Sequence, residues 1–278
     1  MHSNKKNAIL MCAMCGVLFC NVYGFFIFSR TKCKGKSQAI MSRQATQEEF
    51  EVCVITSGRP KNASYIAKNL ESFRGEDVKM RDITVVNTDG SAGPWLEAFD
   101  DIKSPNLLST RRRSECVDDG KDVATGVPCR VLQSNYDVSM ALSVCQNAAF
   151  KENKKWILFV EDDVTVCAGA MAKVRHELAQ YQNEEVSLVS FSKFSRCFAV
   201  SVWFSTQMAL EIRQWASVKP YDHVMWSNTW AGNSKQVQYA TNLFHHIGET
   251  STLAYRNEDG YKEMYGSMRA DSCGQGLA

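Results

Sequence analysis

The chain has 278 residues, 45% of them hydrophobic and 22% charged. That composition excludes a disordered or collagen-like polymer and suffices for one sizeable domain with a tail. Its 32 basic and 30 acidic side chains leave a formal charge of +2, too balanced a surface to draw nucleic acid by long-range attraction.

Residues 1–7 are polar and include Lys5 and Lys6, as a short cytoplasmic tail would. Ala8 to Phe28 is then a run of 21 residues without a charge. A helix of that length spans roughly 30 Å, the thickness of a bilayer's hydrocarbon core. A cleaved signal peptide would have an apolar stretch of about 7–15 residues followed by small residues. Here the run ends in Phe25, Phe26, Ile27 and Phe28 before Ser29-Arg30-Thr31-Lys32, so the expectation is an uncleaved signal anchor over 8–28. No comparable run follows, which predicts a single transmembrane helix.

Basic residues flank the run on both sides, with Arg30, Lys32, Lys34 and Lys36 after it. Charge counting alone would leave the large domain in the cytosol, yet long domains translocate largely regardless of flanking charge. Of the eleven cysteines, the eight beyond the run are at 33, 53, 116, 129, 145, 167, 197 and 273. An even count suits disulfide bonding in a secretory lumen. Asn62-Ala63-Ser64 is the one N-glycosylation sequon. Both favour a luminal domain and a type II protein.

Residues 29–49 are polar without apolar periodicity and read as a stem, leaving 50–278 as the folded domain. Val52-Cys53-Val54-Ile55-Thr56 is a buried-strand pattern stopped by Ser57-Gly58-Arg59-Pro60. Tyr65 to Phe73 has helical spacing, with Ile66, Leu70 and Phe73 on one side. Ile83 to Asn87 is a second strand. A long polar stretch from Ser91 to Ser134 contains Arg111, Arg112 and Arg113, read as a solvated basic loop. Val138 to Phe150 is helical in composition, Trp156 to Val160 a uniformly apolar strand, Ala168 to Gln182 a helix and Ser187 to Phe191 a strand. This alternation predicts an α/β domain with a mainly parallel sheet flanked by helices, whose ligands gather at the carboxyl ends of the strands.

At such an end lie Glu161, Asp162 and Asp163. Alternation along a strand would let Glu161 and Asp163 converge on one side. Crowded carboxylates repel, and a hard divalent cation relieves that repulsion. The same residues fit a solvated acidic turn before the next helix.

The segment resembles the acidic motif of GT-A glycosyltransferases, Rossmann-like enzymes that hold a metal on a nucleotide-sugar diphosphate. Downstream, Phe191-Ser192-Lys193-Phe194, then Lys219 to Trp226, then Leu243 to Gly248 with Ser251 and Leu253, follow an order similar to one family. That family is the mannosyl-glycoprotein β-1,4-N-acetylglucosaminyltransferases that branch N-glycans; the GalNAc-transferase acting on GPI anchors looks similar in the same places. The resemblance runs from about Val52 to Leu253.

It implies an inverting transfer of N-acetylglucosamine from UDP-GlcNAc to a glycan hydroxyl, with Mn2+ or another divalent cation, in the Golgi or ER membrane. Asp163 would be the direct metal ligand and Glu161 and Asp162 would contact the ribose or orient the site. His246 would complete the metal site, with His245 as the substitute, and imidazole beside carboxylate suits Mn2+. Thr56 and Arg59 would receive uracil and ribose. Asp222 would be the catalytic base; the family pattern has two aspartates in this stretch and this chain keeps one. Asp222 also fits a helix N-cap after Pro220, and His246 a packed histidine between Phe244 and Ile247. The branching family's C-terminal lectin-like module and the GPI enzyme's internal membrane pair have no counterpart in the 278 residues. The alternatives are a GalNAc-transferase for GPI glycans and a non-catalytic glycan-binding protein of the same fold.

Among the cysteines, Cys116 and Cys129 bracket a polar loop and are the expected disulfide. Cys53 and Cys145, in a strand and a helix, are expected as buried free thiols. No C-x-x-C pair occurs outside the apolar run, which argues against a zinc site.

Overall fold

A computed structural model of the protein describes residues 49–56, 65–88, 96, 99, 101–103, 129–181, 186–192, 197–214, 221–226, 235–248 and 273–274. Side chains 129–131, 222, 223 and 226 are not among those described. The expected anchor at 8–28, the stem up to 48, Arg59, the sequon at Asn62, the basic run 111–113 and Cys116 also lie outside the described residues. No helix among the described residues is long and apolar enough to cross a membrane.

The chain from Gln47 onward forms one compact unit built on a six-stranded sheet. Its strands are β1 (Phe50–Thr56), β2 (Ile83–Asn87), β3 (Trp156–Glu161), β5 (Val186–Ser190), β6 (Cys197–Ser201) and β7 (Lys235–Gln238), in the order β2-β1-β3-β6-β5-β7. β1 is parallel to both β2 and β3, and β5 to β7, while β6 runs antiparallel to β3 and β5. The sheet is therefore mostly parallel with one reversed strand. A two-stranded antiparallel ladder joins β4 (Val164–Val166) to β8 (Phe244–His246).

Both faces of the sheet are covered, which is why β1 and β3 read as continuous apolar runs rather than alternating ones. Phe50, Val52 and Val54 of β1 and Trp156, Leu158 and Val160 of β3 pack on one side with α1 (Tyr65–Arg74) and α3 (Ala170–Gln180). Cys53, Ile157 and Phe159 face the other side, with α2 (Cys129–Lys151), α4 (Val202–Gln214) and α5 (Tyr221–Trp226). Phe159 stacks on Phe198 at 4.8 Å between ring centres. α3 has no cap of its own; Gly169 precedes it at a left-handed φ of 70°, and Glu76 accepts from the amides of Gly169 at 2.8 Å and Met171 at 3.2 Å.

Three expectations change. α2 begins at Cys129, nine residues before Val138, because its first turns are polar: Gln133 donates to Asp137 across one turn at 2.8 Å and Asn135 is buried. β4 stands between the acidic residues and the helix expected from Ala168, so they do not lead into that helix as the solvated-turn alternative has it. Cys53 and Cys145 are not free thiols. α2 packs over β1 and brings their Cα atoms to 5.7 Å, and the two form a disulfide. A second disulfide joins Cys167 to Cys273. Cys129 lies in α2, and its pairing with Cys116 falls outside the described residues. Cys197 is free and buried, and burial pushes its thiol well above 9.0.

At the amino ends of the parallel strands sits a buried charge network. Lys154 Nζ lies 2.7 Å from Glu51, 2.8 Å from Asp82 and 2.9 Å from Glu152. Lys103 reaches Glu51 at 3.1 Å and Glu152 at 2.5 Å, and Thr84 donates to Glu51 at 2.6 Å. Burial alone would push the Lys154 ammonium down, but hydrogen bonds to Asp82 and Glu51 outweigh it and hold the group above its ordinary 10.5. Burial would likewise raise Glu152, yet Lys103 and Lys154 hold it below 4.5. The network's contribution to stability is thus present between these values. It is lost as pH rises through the raised Lys154 value or falls through the lowered Glu152 value. Lys154→Met takes the cation from buried Asp82 and leaves Glu51 with Lys103 alone, and we expect a loss of roughly 3–5 kcal/mol in urea unfolding at neutral pH. The variant should also lose the alkaline fall in stability attributable to Lys154.

Candidate active site

The acidic residues occupy the carboxyl end of β3. Glu161 is its last residue, and Asp162 and Asp163 form a turn leading into β4. Strand alternation stops at Glu161, so the convergence of Glu161 with Asp163 expected from a continuing strand does not apply. Each carboxylate has its own neighbour instead. Glu161 accepts a short hydrogen bond from the Tyr221 hydroxyl on α5. Asp162 Oδ2 accepts from Thr56 Oγ1, at the end of β1, at 2.7 Å. Asp163 Oδ2 lies 3.1 Å from His246 Nε2 on β8.

Backbone bonds set these positions. The amide of Asp162 donates to the carbonyl of Ile55 at 3.1 Å, continuing the β1–β3 pairing past the strand end. The amide of Ile247 donates to the carbonyl of Asp163 at 2.8 Å, continuing the β4–β8 ladder in the same way. Asn69, fully buried on α1, spans the turn: its Nδ2 donates to the carbonyl of Val164 at 2.6 Å and to that of Glu161 at 3.3 Å. Ser72, one turn further along α1, accepts from the amide of Val166 at 2.9 Å. A helix thus holds the two ends of the acidic turn while two strands hold its middle.

β8 decides which histidine takes part. Val164 is the cross-strand partner of His246 and Thr165 that of His245. Adjacent strand residues face opposite ways, so His246 meets Asp163 and His245 does not share that face. Both members of the pair are largely shielded, with side-chain exposures of 16% for His246 and 7% for Asp163.

The pair fits a divalent cation on geometry. Two ligands at right angles around an ion at about 2.1 Å lie roughly 3.0 Å apart, close to the 3.1 Å found here. Gly248 keeps this edge open. A β-carbon at 248 would stand 2.3 Å from Asp163 Oδ2 and 2.8 Å from His246 Nε2, inside van der Waals contact with both. Among the described residues no three metal-ligating side chains are gathered, and the carboxylate–imidazole pair is what those residues offer.

The remaining expected site residues divide as follows. Thr56 is at the site but buried, its hydroxyl committed to Asp162. Asp222 is the second residue of α5, whose first residue, Tyr221, reaches Glu161. The N-cap alternative for Asp222 therefore does not match this helix start, and its side chain lies outside the described residues, as does Arg59. Tyr221, Asn69 and Gly248 were not singled out from sequence. A buried-helix asparagine is the one sequence signal among them, since Asn69 falls on the apolar side of α1 with Ile66, Leu70 and Phe73.

No protein-family model matches this chain, and no curated protein does. Among solved structures, it is similar to a glycosyltransferase involved in glycosylation of the major capsid of PBCV-1. That match has 12% identity, covers 77% of this chain and 99% of that one, and has a TM-score of 0.43. The chain is also similar to the mannosyltransferase PcManGT of Pyrobaculum calidifontis, whose structure holds GDP-Man and Mn2+. Here the identity is 12%, the coverage 70% and 55%, and the TM-score 0.41. A putative glucose-1-phosphate thymidylyltransferase from Bacillus anthracis matches at 8% identity, 81% and 98% coverage and a TM-score of 0.42.

Asn69→Ala should release the acidic turn without touching a carboxylate. We expect a stability loss of about 1–3 kcal/mol for the two carbonyls left without their donor. Hydrogen exchange should quicken locally at 162–166, and equal exchange there in both proteins would show that Asn69 does not hold the turn.

Proposed function

We propose that the protein is a metal-dependent inverting glycosyltransferase that moves N-acetylglucosamine from UDP-GlcNAc to a hydroxyl of an N-glycan acceptor. The observation that carries this reading is the Asp163–His246 pair, kept open by Gly248 beside the carboxyl ends of two parallel strands. The order of sequence islands that resembles the N-glycan-branching family supports the donor and acceptor.

Asp163 Oδ2 and His246 Nε2 would hold the cation, which requires a neutral imidazole with its proton on Nδ1. When bound, a cation such as Mn2+ supplies Lewis-acid neutralisation of the donor's diphosphate. Glu161, oriented by Tyr221, faces the donor ribose. Thr56 acts through Asp162, whose carboxylate it fixes, and Arg59 follows the same strand toward the uracil. Asp222 takes the proton of the acceptor hydroxyl as that oxygen bonds to the anomeric carbon from the side opposite the diphosphate. The bond from that carbon to the diphosphate oxygen breaks, its electron pair leaves with UDP, and the configuration inverts.

The disulfides Cys53–Cys145 and Cys167–Cys273 support an oxidising compartment. With the uncharged run 8–28, they support a type II protein of the Golgi or ER membrane whose catalytic domain is luminal.

The purified full chain should hydrolyse UDP-GlcNAc slowly and only with Mn2+. Preference for UDP-GalNAc would move the assignment to the GPI-directed class, and glycan binding with no turnover of either donor would make it a non-catalytic relative. In titration calorimetry Asp163→Asn should lose Mn2+-dependent UDP binding while remaining folded. Gly248→Ala, which removes no ligand, should weaken Mn2+ binding by roughly 10–100-fold. Unchanged affinity in both would refute the metal site.

Asp222→Asn should bind UDP as the unaltered protein does and transfer about 10²–10⁴-fold more slowly. Full-speed transfer would remove Asp222 from the role of base.

A further inference from the structure

Four large apolar side chains are exposed among the described residues, and all four come from one pair of helices. Met140 and Phe150 lie on α2, at 41% and 73% exposure, and Trp203 and Leu210 on α4, at 54% and 60%. The two helices run antiparallel side by side. Ser139 Oγ donates to the carbonyl of Ala209 at one end of the contact, and Gln146 Nε2 to that of Val202 at the other. Trp203 and Leu210 are seven residues apart, two helical turns, and so share one outward stripe. Phe150 lies one turn beyond Gln146, at the end where α4 begins.

That end is also where the chain enters the domain. The carbonyl of Glu49 accepts from the amides of Lys155 at 2.9 Å and Trp156 at 3.1 Å. The carbonyl of Lys155 accepts in turn from the amide of Val202 at 2.9 Å, directly before Trp203. Ser201 pairs with Trp156, the first residue of β3. Phe150, Trp203 and the entry point therefore share the amino end of β1 and β3. The acidic turn lies at the opposite end, a six-residue strand or roughly 20 Å away. Lys151, which follows Phe150 in the chain, and Lys155, whose carbonyl accepts from Val202, are both exposed.

We propose that this outward face of α2 and α4, centred on Phe150 and Trp203, rests in the interfacial layer of a lipid bilayer. The proposal rests on the reading of residues 8–28 as a membrane anchor. Between that run and Glu49 stand the 20 residues 29–48, which can span at most about 70 Å whatever their conformation. That reach bounds how far the entry end can stand from the bilayer, and a tethered surface needs only weak intrinsic affinity to stay engaged. Tryptophan and phenylalanine suit the boundary between headgroups and acyl chains. Lys151 and Lys155 have the reach to keep their ammonium groups among the phosphates while their stems lie along the apolar layer. An exposed apolar surface of this kind marks an interaction site, and this one leaves the acidic turn at the end of the sheet away from the lipid.

The test uses the full chain reconstituted in phosphatidylcholine vesicles, with acyl chains brominated near the carbonyl end or left plain. None of the six tryptophans lies within 8–28, so quenching by bromine reports on the domain. The unaltered chain should lose emission in brominated vesicles. Trp203→Phe should lose most of that quenching, and Phe150→Trp added to Trp203→Phe should restore it. Quenching that is unchanged by Trp203→Phe, in a chain that still floats with the vesicles, would overturn the proposal and leave the anchor standing. A chain that fails to float would overturn both. A detergent-solubilised dimer that Leu210→Lys converts to a monomer would also overturn it, by assigning the face to a second copy.

Discussion

Three consecutive carboxylates at the end of a buried strand are a problem of charge, and the fold answers it by giving each a separate neighbour. Asp162 and Asp163 are both largely buried, where a lone ionised group would be costly. Glu161 turns to a phenol on α5, Asp162 to a hydroxyl on β1 and Asp163 to an imidazole on β8. That distribution is possible because the backbone of the turn is already held. Ile55 and Ile247 fasten its middle, and Asn69 fastens the carbonyls at its two ends. The chemistry proposed for the site depends on that prior immobilisation, since ligand atoms must stay near coordination geometry before anything binds.

The two ends of the sheet carry opposite kinds of polar cluster. At the amino end, Glu51, Asp82 and Glu152 enclose Lys154 and Lys103 in a network whose acids and bases face one another. It has a structural logic: buried charges paired at close range. At the carboxyl end the carboxylates have a hydroxyl, a phenol and an imidazole as partners, with Gly248 leaving room beside Asp163 and His246. The disulfides follow the same division. Cys53–Cys145 bolts β1 to α2, and Cys167–Cys273 ties the chain just after β4 to a C-terminal segment whose Gly274 donates to Asn242, two residues before β8.

Much of the fold was legible from local pattern. The apolar runs of β1, β2 and β3 and the spacing of Ile66, Leu70 and Phe73 all mark elements that bury one or both faces, and such burial leaves a periodic trace. The first turns of α2 were not legible, because Asn135 and Gln133 are polar residues serving a helix whose partners are distant in sequence. Nor was the Cys53–Cys145 bond, whose halves are 92 residues apart. Their burial was correctly expected and their contact was not, since contact depends on where α2 lies over β1.

At the site, the sequence by itself determined the ingredients: the acidic trio at a strand end, a histidine pair downstream and a glycine two residues after His246. Only the tertiary structure decided how they combine. Strand alternation in β8, registered against β4, sets His246 rather than His245 against Asp163, and the turn after Glu161 ends the alternation that would have aligned it with Asp163. Tyr221 and Asn69 become relevant because α5 and α1 pack beside the turn. Side-chain chemistry is local and written in residue type, whereas the choice of neighbour depends on packing across 60 to 106 residues of chain, which no local pattern encodes.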